Sequence, residues 1–391
     1  MKKTTMMVAA VLSAGTVLAG VYGDVPDAKH AWAVHDKNRP NPVKVEATAG
    51  LPPSDATVLF DGTRESFEKN WCDKAGKVSQ WKLGTEGDFY CVPGWKNGGN
   101  IFTRGSFGDC QLHIEWRHDA DITGENQMRG NSGVFLMSNY EIQVLESYGT
   151  NPADMQNPNY ADGQAGAVYA ENPPAVNPSR KPGEWQTYDI VFHQPVWEGQ
   201  NLVHPGSVTV FFNGVLVQDH WEMEGLTTHA KRRPLAPHAK KLPLHFQDHG
   251  CVVHFRNIWI REIPSRWDNK THCDMSADVD AVTAQRRQTA AALFAKIEKP
   301  IKPTFANMMA LGEVISYARE GEYEKAWKKI AGEIHGILDK MSDAELNAKK
   351  GELLALRKAL DTLIKGGVVP QSCGTRIRIN AISLRLKWEK L

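Results

Sequence analysis

From Val58 to about Ile263 the sequence breaks into short alternating or wholly apolar runs separated by Gly, Pro, Asn and Asp. An amphipathic helix needs apolar residues every three to four positions over several turns, and this pattern argues for strands instead. Short strands remain, and their number in one stretch predicts an all-β sandwich or barrel. The clearest unit is Val208-Thr-Val-Phe-Phe-Asn-Gly-Val-Leu-Val217, where Asn213-Gly214 suits the type I′ turn of a hairpin. Leu112, Ile114 and Trp116 alternate with His113, Glu115 and Arg117, so one side of that strand enters a core and the other is polar. Further strands are predicted over Trp185 to Phe192, after the Pro182-Gly183 turn, and over Val252 to Glu262.

Within this region Asn131-Ser-Gly-Val-Phe-Leu-Met-Ser-Asn-Tyr-Glu-Ile-Gln-Val-Leu-Glu146 reads as two short strands joined by a tight turn. Ile142 and Val144 point one way, while Glu141 and Gln143 offer a carboxylate and an amide to the other side. A strand used this way suits polar ligand recognition, and it marks the expected active face. Other polar positions are His113, Glu115 and Arg117 on one strand, Asp248 and His249 at the end of another, and Arg256-Asn257 on the last. Together they could supply a general acid or base and an oxyanion stabiliser. The plainer alternative is that Glu115, Arg117 and Arg256 form ion pairs bracing an exposed sheet.

The formal net charge of +1 gives no global attraction for nucleic acid or an acidic membrane. Twelve tryptophans fit a sugar-binding cleft, although most aromatic residues of this size serve a core. Two long connections stand out: Thr150 to Val168, and Gly225 to Leu242 with its Lys231-Arg-Arg233 and Lys240-Lys241 clusters. Long loops in a compact domain are often functional. The basic cluster could hold a phosphate or an anionic sugar, and a solvated loop is the commoner explanation.

The two ends differ from the middle. Lys2 and Lys3 precede an apolar run from Met6 to Ala19 that is too short to span a bilayer, so residues 1–23 are expected to be a secretory signal peptide. The mature protein is then exported, periplasmic or extracellular, with no membrane span and no lipid-bearing cysteine. Residues 24–55 read as a leader or linker, and residues 56–264 as the sandwich. Export would let disulfides persist among the six cysteines, and a Cys273–Cys373 pair would staple the C-terminal segment. No cysteine and histidine spacing suggests zinc. Residues 275–391 form an appended, mainly helical module that could mediate self-association. Helices are predicted over Ala277 to Lys299, Thr304 to Arg319, Tyr323 to Lys340 and Asp343 to Lys365. Ser342 and Glu345 have capping-box spacing, and Gly366-Gly367 provides a stop. Gly374 to Glu389 reads as a strand, because Ile377, Ile379 and Ala381 alternate with Arg376, Arg378 and Asn380.

Nine short motifs occur in order: Phe60-Asp-Gly62, Glu115-Trp-Arg117, Asn131-Ser-Gly-Val-Phe135, Tyr140-Glu-Ile-Gln143, Gly166-Ala-Val-Tyr169, Gly183-Glu-Trp185, Asn213-Gly214, Gln247-Asp-His-Gly250 and Phe255-Arg-Asn-Ile-Trp-Ile-Arg261. Together they resemble the 3-keto-disaccharide hydrolase family. The resemblance implies a mainly β, concanavalin-like jelly-roll β-sandwich and hydrolysis of glycosides already oxidised at C3. It further implies that a base removes the acidified C2 hydrogen, that the C1 substituent leaves, and that water adds. On this reading Glu141 or His249 is the base and Arg256 holds the keto or enolate oxygen. Gln143 and Asn131 position hydroxyls, Asp248 orients His249, and Tyr169 and Trp185 contact the sugar. Glu115 pairs with Arg256 or joins a divalent metal, which the oxygen and imidazole donors would suit. The alternatives are a non-catalytic carbohydrate-binding module and, third, a laminarinase-like endoglucanase. The last needs a Glu-x-Asp-x-Glu pattern that Gln143 and Leu145 break.

Overall fold

The computed structural model describes residues 32–36, 39–92, 94, 98–149, 160–264, 279–319 and 321–388. Contacts divide the chain into Lys44–Asp268 and a second unit that joins Asn269–Leu391 to Met1–Val43. The first unit begins with β1 (Thr57–Phe60), α1 (Arg64–Asn70), β2 (Trp71–Cys72), β3 (Lys82–Leu83), β4 (Asp88–Tyr90) and β5 (Ile101–Thr103). It continues with β6 (Cys110–Arg117), β7 (Ser132–Leu136), β8 (Tyr140–Val144), β9 (Gln186–His193) and β10 (Val196–Glu198). The last strands are β11 (Asn201–His204), β12 (Ser207–Phe212), β13 (Val215–Glu222), β14 (His245–Phe246) and β15 (His254–Glu262).

These strands build a jelly-roll sandwich. One sheet of eight strands runs β13-β12-β9-β6-β15-β4-β3, with β1 also paired to β15; the other, of five, runs β2-β5-β14-β7-β8. Alternation decides what lies between them. Along β6 burial is strictly two-periodic, and Leu112, Ile114 and Trp116 all enter the core. The sheets meet through aromatic rings, with Phe246 of the smaller sheet 4.5 Å from Phe255 of the larger and Trp71 5.2 Å from Phe89. Burying each such ring is worth roughly 1.5–3 kcal/mol, which makes this seam a principal source of stability.

Asn213 and Gly214 both take positive φ, 51° and 77°, between β12 and β13, as the type I′ signal predicts. The turn between β7 and β8 also needs positive φ, at Met137 (49°) and Ser138 (56°), without help from glycine. Tertiary contacts hold it: Met137 is buried, and the Ser138 hydroxyl donates to the Pro243 carbonyl at 2.8 Å.

The second unit holds α2 (Val279–Ala295), α3 (Phe305–Tyr317), α4 (Gly321–Lys340), α5 (Asp343–Ala348), α6 (Lys350–Lys365) and α7 (Gly374–Arg385). The Ser342/Glu345 capping box forms, and Gly366-Gly367 ends α6. Two expectations change. The single helix over Asp343 to Lys365 is broken at Lys349, whose ψ of 13° ends α5 and starts α6. Gly374 to Arg385 is a helix, not a strand. Its buried positions Thr375, Ile379, Ile382 and Ser383 follow helical spacing, while Ile377 is 51% exposed, so the apparent alternation was incidental. The residues read as leader also divide, since those up to Val43 belong to the helical unit. There the buried Asp36 carboxylate pairs with Arg286, whose other nitrogen donates to the Ser316 carbonyl at 2.6 Å.

Cys72, Cys91, Cys110, Cys251 and Cys373 are free thiols. Cys273, and with it the Cys273–Cys373 pairing, lies outside the described residues, as does the 1–23 signal segment. Among the described residues no helix is long and apolar enough to cross a membrane.

Candidate active site

The outer face of the five-stranded sheet carries the site. Ile142 and Val144 of β8 enter the core, which obliges Glu141 and Gln143 to point outward. Across the ladder Glu141 is opposite Phe135 and Gln143 is opposite Gly133 of β7. On β14, His245 pairs with Phe135, and their rings stack at 4.2 Å. Gly133 makes the hollow: an added Cβ there would lie 2.2 Å from Glu141 Oε1. The result is a pocket of about 260 Å³ into which Glu141, Gln143, Asn131, Tyr169 and His249 all converge.

Glu141 is 3% exposed, and its carboxylate accepts no hydrogen bond from any described residue. Burial alone pushes its pKa up to about 8. Its backbone N–H is held by the Thr227 hydroxyl at 2.9 Å, which fixes the strand beneath it. Beside it Gln127 accepts from Asn131 Nδ2 at 2.7 Å and from Gln143 Nε2 at 3.1 Å. Gln143 Nε2 also reaches Asn131 Oδ1 at 3.3 Å. This amide cluster satisfies its donors and leaves Gln143 Oε1 a buried acceptor with no partner, and Gln247 Oε1 is in the same condition. Acceptors without donors are what a bound polyol would supply with hydroxyls.

The opposite rim is aromatic. The Tyr169 hydroxyl lies 2.9 Å from that of Tyr160 and 3.0 Å from His229 Nδ1. Burial first, then the Tyr160 contact and the charge of Glu141, raise the Tyr169 pKa, so the phenol stays protonated and able to donate. Burial lowers the pKa of His249, which keeps its ring neutral near pH 7. Asp248 is spent on the loop: its carboxylate accepts from Gly99 N at 3.0 Å and Gly250 N at 2.9 Å. Its effect on His249 is a modest charge that favours the protonated ring.

Glu115, Arg256 and Trp185 stand elsewhere. Ile114 and Trp116 of β6 and Phe255 of β15 face the core, so Glu115 and Arg256 lie on the outer face of the eight-stranded sheet, across the sandwich from Glu141. There Arg256 Nε pairs with Glu115 Oε2 at 2.7 Å and stacks on the Trp185 ring at 3.9 Å. Asn257 donates to Glu115 Oε1 at 2.8 Å. His113 contacts Asp189 at 2.7 Å; burial opposes charging of the ring, but the Asp189 and Glu115 contacts outweigh it and raise the pKa to about 9. His113, with burial opposing and Asn257 and Arg256 assisting, holds Glu115 down at about 2. This is the bracing network of the plainer alternative, and Arg117, paired with Glu86 at 3.1 Å, joins it through the Trp185 ring, 5.0 Å from its guanidinium. The expectation that Arg256 and Glu141 share one cleft fails, because alternation puts them on opposite outer faces.

Gln127, Tyr160, His229 and Thr227 were not singled out from the sequence. Tyr160 and His229 sit in the two long connections whose length flagged them, so the signal named the segment but not the side chain. Among the described residues no group of three or more His, Cys, Asp or Glu could hold a metal ion.

A sandwich whose outer face holds a buried carboxylate, unsatisfied amide acceptors and an aromatic rim defines a carbohydrate-active protein. More particularly, the chain belongs to the family of the 3-keto-alpha-glucoside-1,2-lyase-like domain, whose sequence model matches residues 55–261. Among solved structures it is similar to a candidate glycosyl hydrolase from Parabacteroides distasonis at 37% identity. That match covers 61% of this chain and 100% of the other, with a TM-score of 0.53. A second candidate glycosyl hydrolase from the same organism is 19% identical, with 56% of this chain and 100% of the other covered and a TM-score of 0.39. Among curated proteins none matches the chain.

Proposed function

We propose that the protein is an exported enzyme that cleaves 3-keto-glycosides, with Glu141 as the base. The observation that carries this reading is the Glu141 carboxyl itself: buried, without a hydrogen-bond donor, and raised to a pKa of about 8 in a pocket otherwise lined by amide, hydroxyl, imidazole and aromatic groups. A lectin pocket gains nothing from such a group, whereas proton abstraction beside a ketone gains a stronger base.

The carboxylate takes the C2 hydrogen, and the electron pair of that bond forms an enolate on the 3-keto oxygen. The enolate then collapses to a C1–C2 double bond as the C1–O bond breaks. Tyr169, kept protonated beside Tyr160 and His229, gives its proton to the departing oxygen. Neutral His249 donates to the keto oxygen, the part first expected of Arg256. Asn131 and Gln143 seat the remaining hydroxyls, and addition of water across the double bond completes hydrolysis. Two carboxylates flanking an oxocarbenium ion are not required.

The test is incubation of the full chain with a 3-keto-glucoside and with its unoxidised parent, followed by NMR. Loss of the aglycone from the oxidised sugar alone is expected. Binding of either sugar without cleavage would overturn the enzymatic reading in favour of a recognition module.

A further inference from the structure

Next to the Glu141 pocket lies a second cavity of about 220 Å³, and the two share Tyr169 and Thr228 as a common wall. Lys231, Arg232 and Arg233 also line it. A run of cations on a loop ordinarily faces solvent and does nothing else. Here the loop is fixed. The Leu226 N–H donates to the Arg233 carbonyl at 2.9 Å, and a Cβ on Gly225 would lie 2.1 Å from that same oxygen, so the two strands of the loop are closed as tightly as glycine permits. Glu171 clamps the base by accepting from Gly225 N at 2.8 Å, Glu224 N at 3.1 Å and Trp221 Nε1 at 3.3 Å.

The acidic groups lining the cavity neutralise this run only in part. Glu224 pairs with Arg232 at 2.7 Å, and Glu171 turns its oxygens to three neutral N–H donors at the base of the loop, so three cations face two carboxylates and a cation is left over. Lys231 and Arg233 make no side-chain ion pair or hydrogen bond with any described residue. Lys231 and Arg233 both line the cavity, so an anion bound there would be attracted by two cations that no carboxylate pairs. Tyr169, the proposed donor to the departing oxygen, stands in the shared wall, so the neighbouring space is where the departing group would lie.

We propose that this cavity is a leaving-group subsite for a carboxylate-bearing aglycone, such as a uronic acid or an aromatic acid, recognised by Lys231 and Arg233. The assignment rests on the glycoside-cleaving reading above for its orientation but not for its charge preference. It makes the enzyme selective among 3-keto-glycosides by what is attached at C1.

The experiment compares 4-carboxyphenyl and 4-carbamoylphenyl 3-keto-glucosides, which match in shape and differ in charge. The wild-type chain should favour the carboxylate by about tenfold in kcat/KM at low salt, and by no more than about twofold at 0.5 M salt. In the Lys231→Ala/Arg233→Ala double variant the ratio should fall to about one; both side chains are exposed, and the Arg233 carbonyl that closes the loop is retained. A wild-type ratio of one, or a ratio that the double variant leaves unchanged, overturns the proposal. Calorimetric binding of the two unoxidised glucosides separates the readings. Carboxylate-dependent binding without any cleavage leaves the subsite standing and removes the proposed reaction. Equal cleavage of both substrates does the reverse.

Discussion

At Glu141 burial raises the carboxyl to about 8 from an ordinary value of 4.5, so the folded protein holds a proton there that the unfolded chain has released. The folded state therefore binds more protons between about pH 4.5 and 8, and stability falls as pH rises through that window. Below the window the cost is absent; above it the full cost, a few kcal/mol, is carried. Glu141→Gln removes the titration. Its stability relative to wild type should rise by a few kcal/mol from pH 5 to pH 9, as read by denaturant unfolding. The same variant should lose about 10²–10⁴-fold in kcat. Cleavage by the wild type should climb with pH to half its maximum near 8, and a profile flat from pH 6 to 9 would remove Glu141 as the base. Gly133→Ala tests the hollow in front of it: the new methyl must displace the Glu141 carboxyl, so kcat should drop at least tenfold with a smaller loss of folding free energy.

For the strands, alternation made the polar and apolar sides of β6, β8 and β15 legible in the sequence, and the Asn213-Gly214 turn was legible from residue chemistry. What alternation does not encode is which of two outer faces a polar side joins. Glu115 and Glu141 have equivalent local patterns, and only the long-range pairing of β6 with β15 and of β8 with β7 separates them. The helix α7 was missed for a related reason. Over six residues a two-fold alternation can be read from a helix whose buried stripe is narrow, and the stripe of Ile379 and Ile382 becomes plain only over the full length. The separation of faces predicts distinct phenotypes. Arg256→Ala should cost about 1–2 kcal/mol, since the Glu115 pair is partly exposed, while kcat per folded molecule stays within about twofold of wild type. A thousandfold loss of kcat in correctly folded Arg256→Ala would show that the outer network reaches the reaction.

At the scale of the molecule, the sequence foresaw a sandwich followed by a helical module but treated the segment before the sandwich as a linker. That segment carries no local sign of its partner. Asp36 finds Arg286, which lies 250 positions away. Removing one side of a buried ion pair strands the other, so Asp36→Ala should destabilise the helical unit by about 3–5 kcal/mol. The change should appear in that unit's calorimetric transition, and a variant unfolding at the wild-type midpoint would show the pair to be inconsequential. The same connection sets an order of assembly during synthesis. A ribosome that has released residues 44–268 has released everything in the sandwich unit, which can close before the helices exist. Asp36, made before any of it, must wait through that whole interval for Arg286. The earliest described part of this unit to be made is thus among the last to be fixed, and a chain cut short after the sandwich would leave the Asp36 carboxylate without its cation.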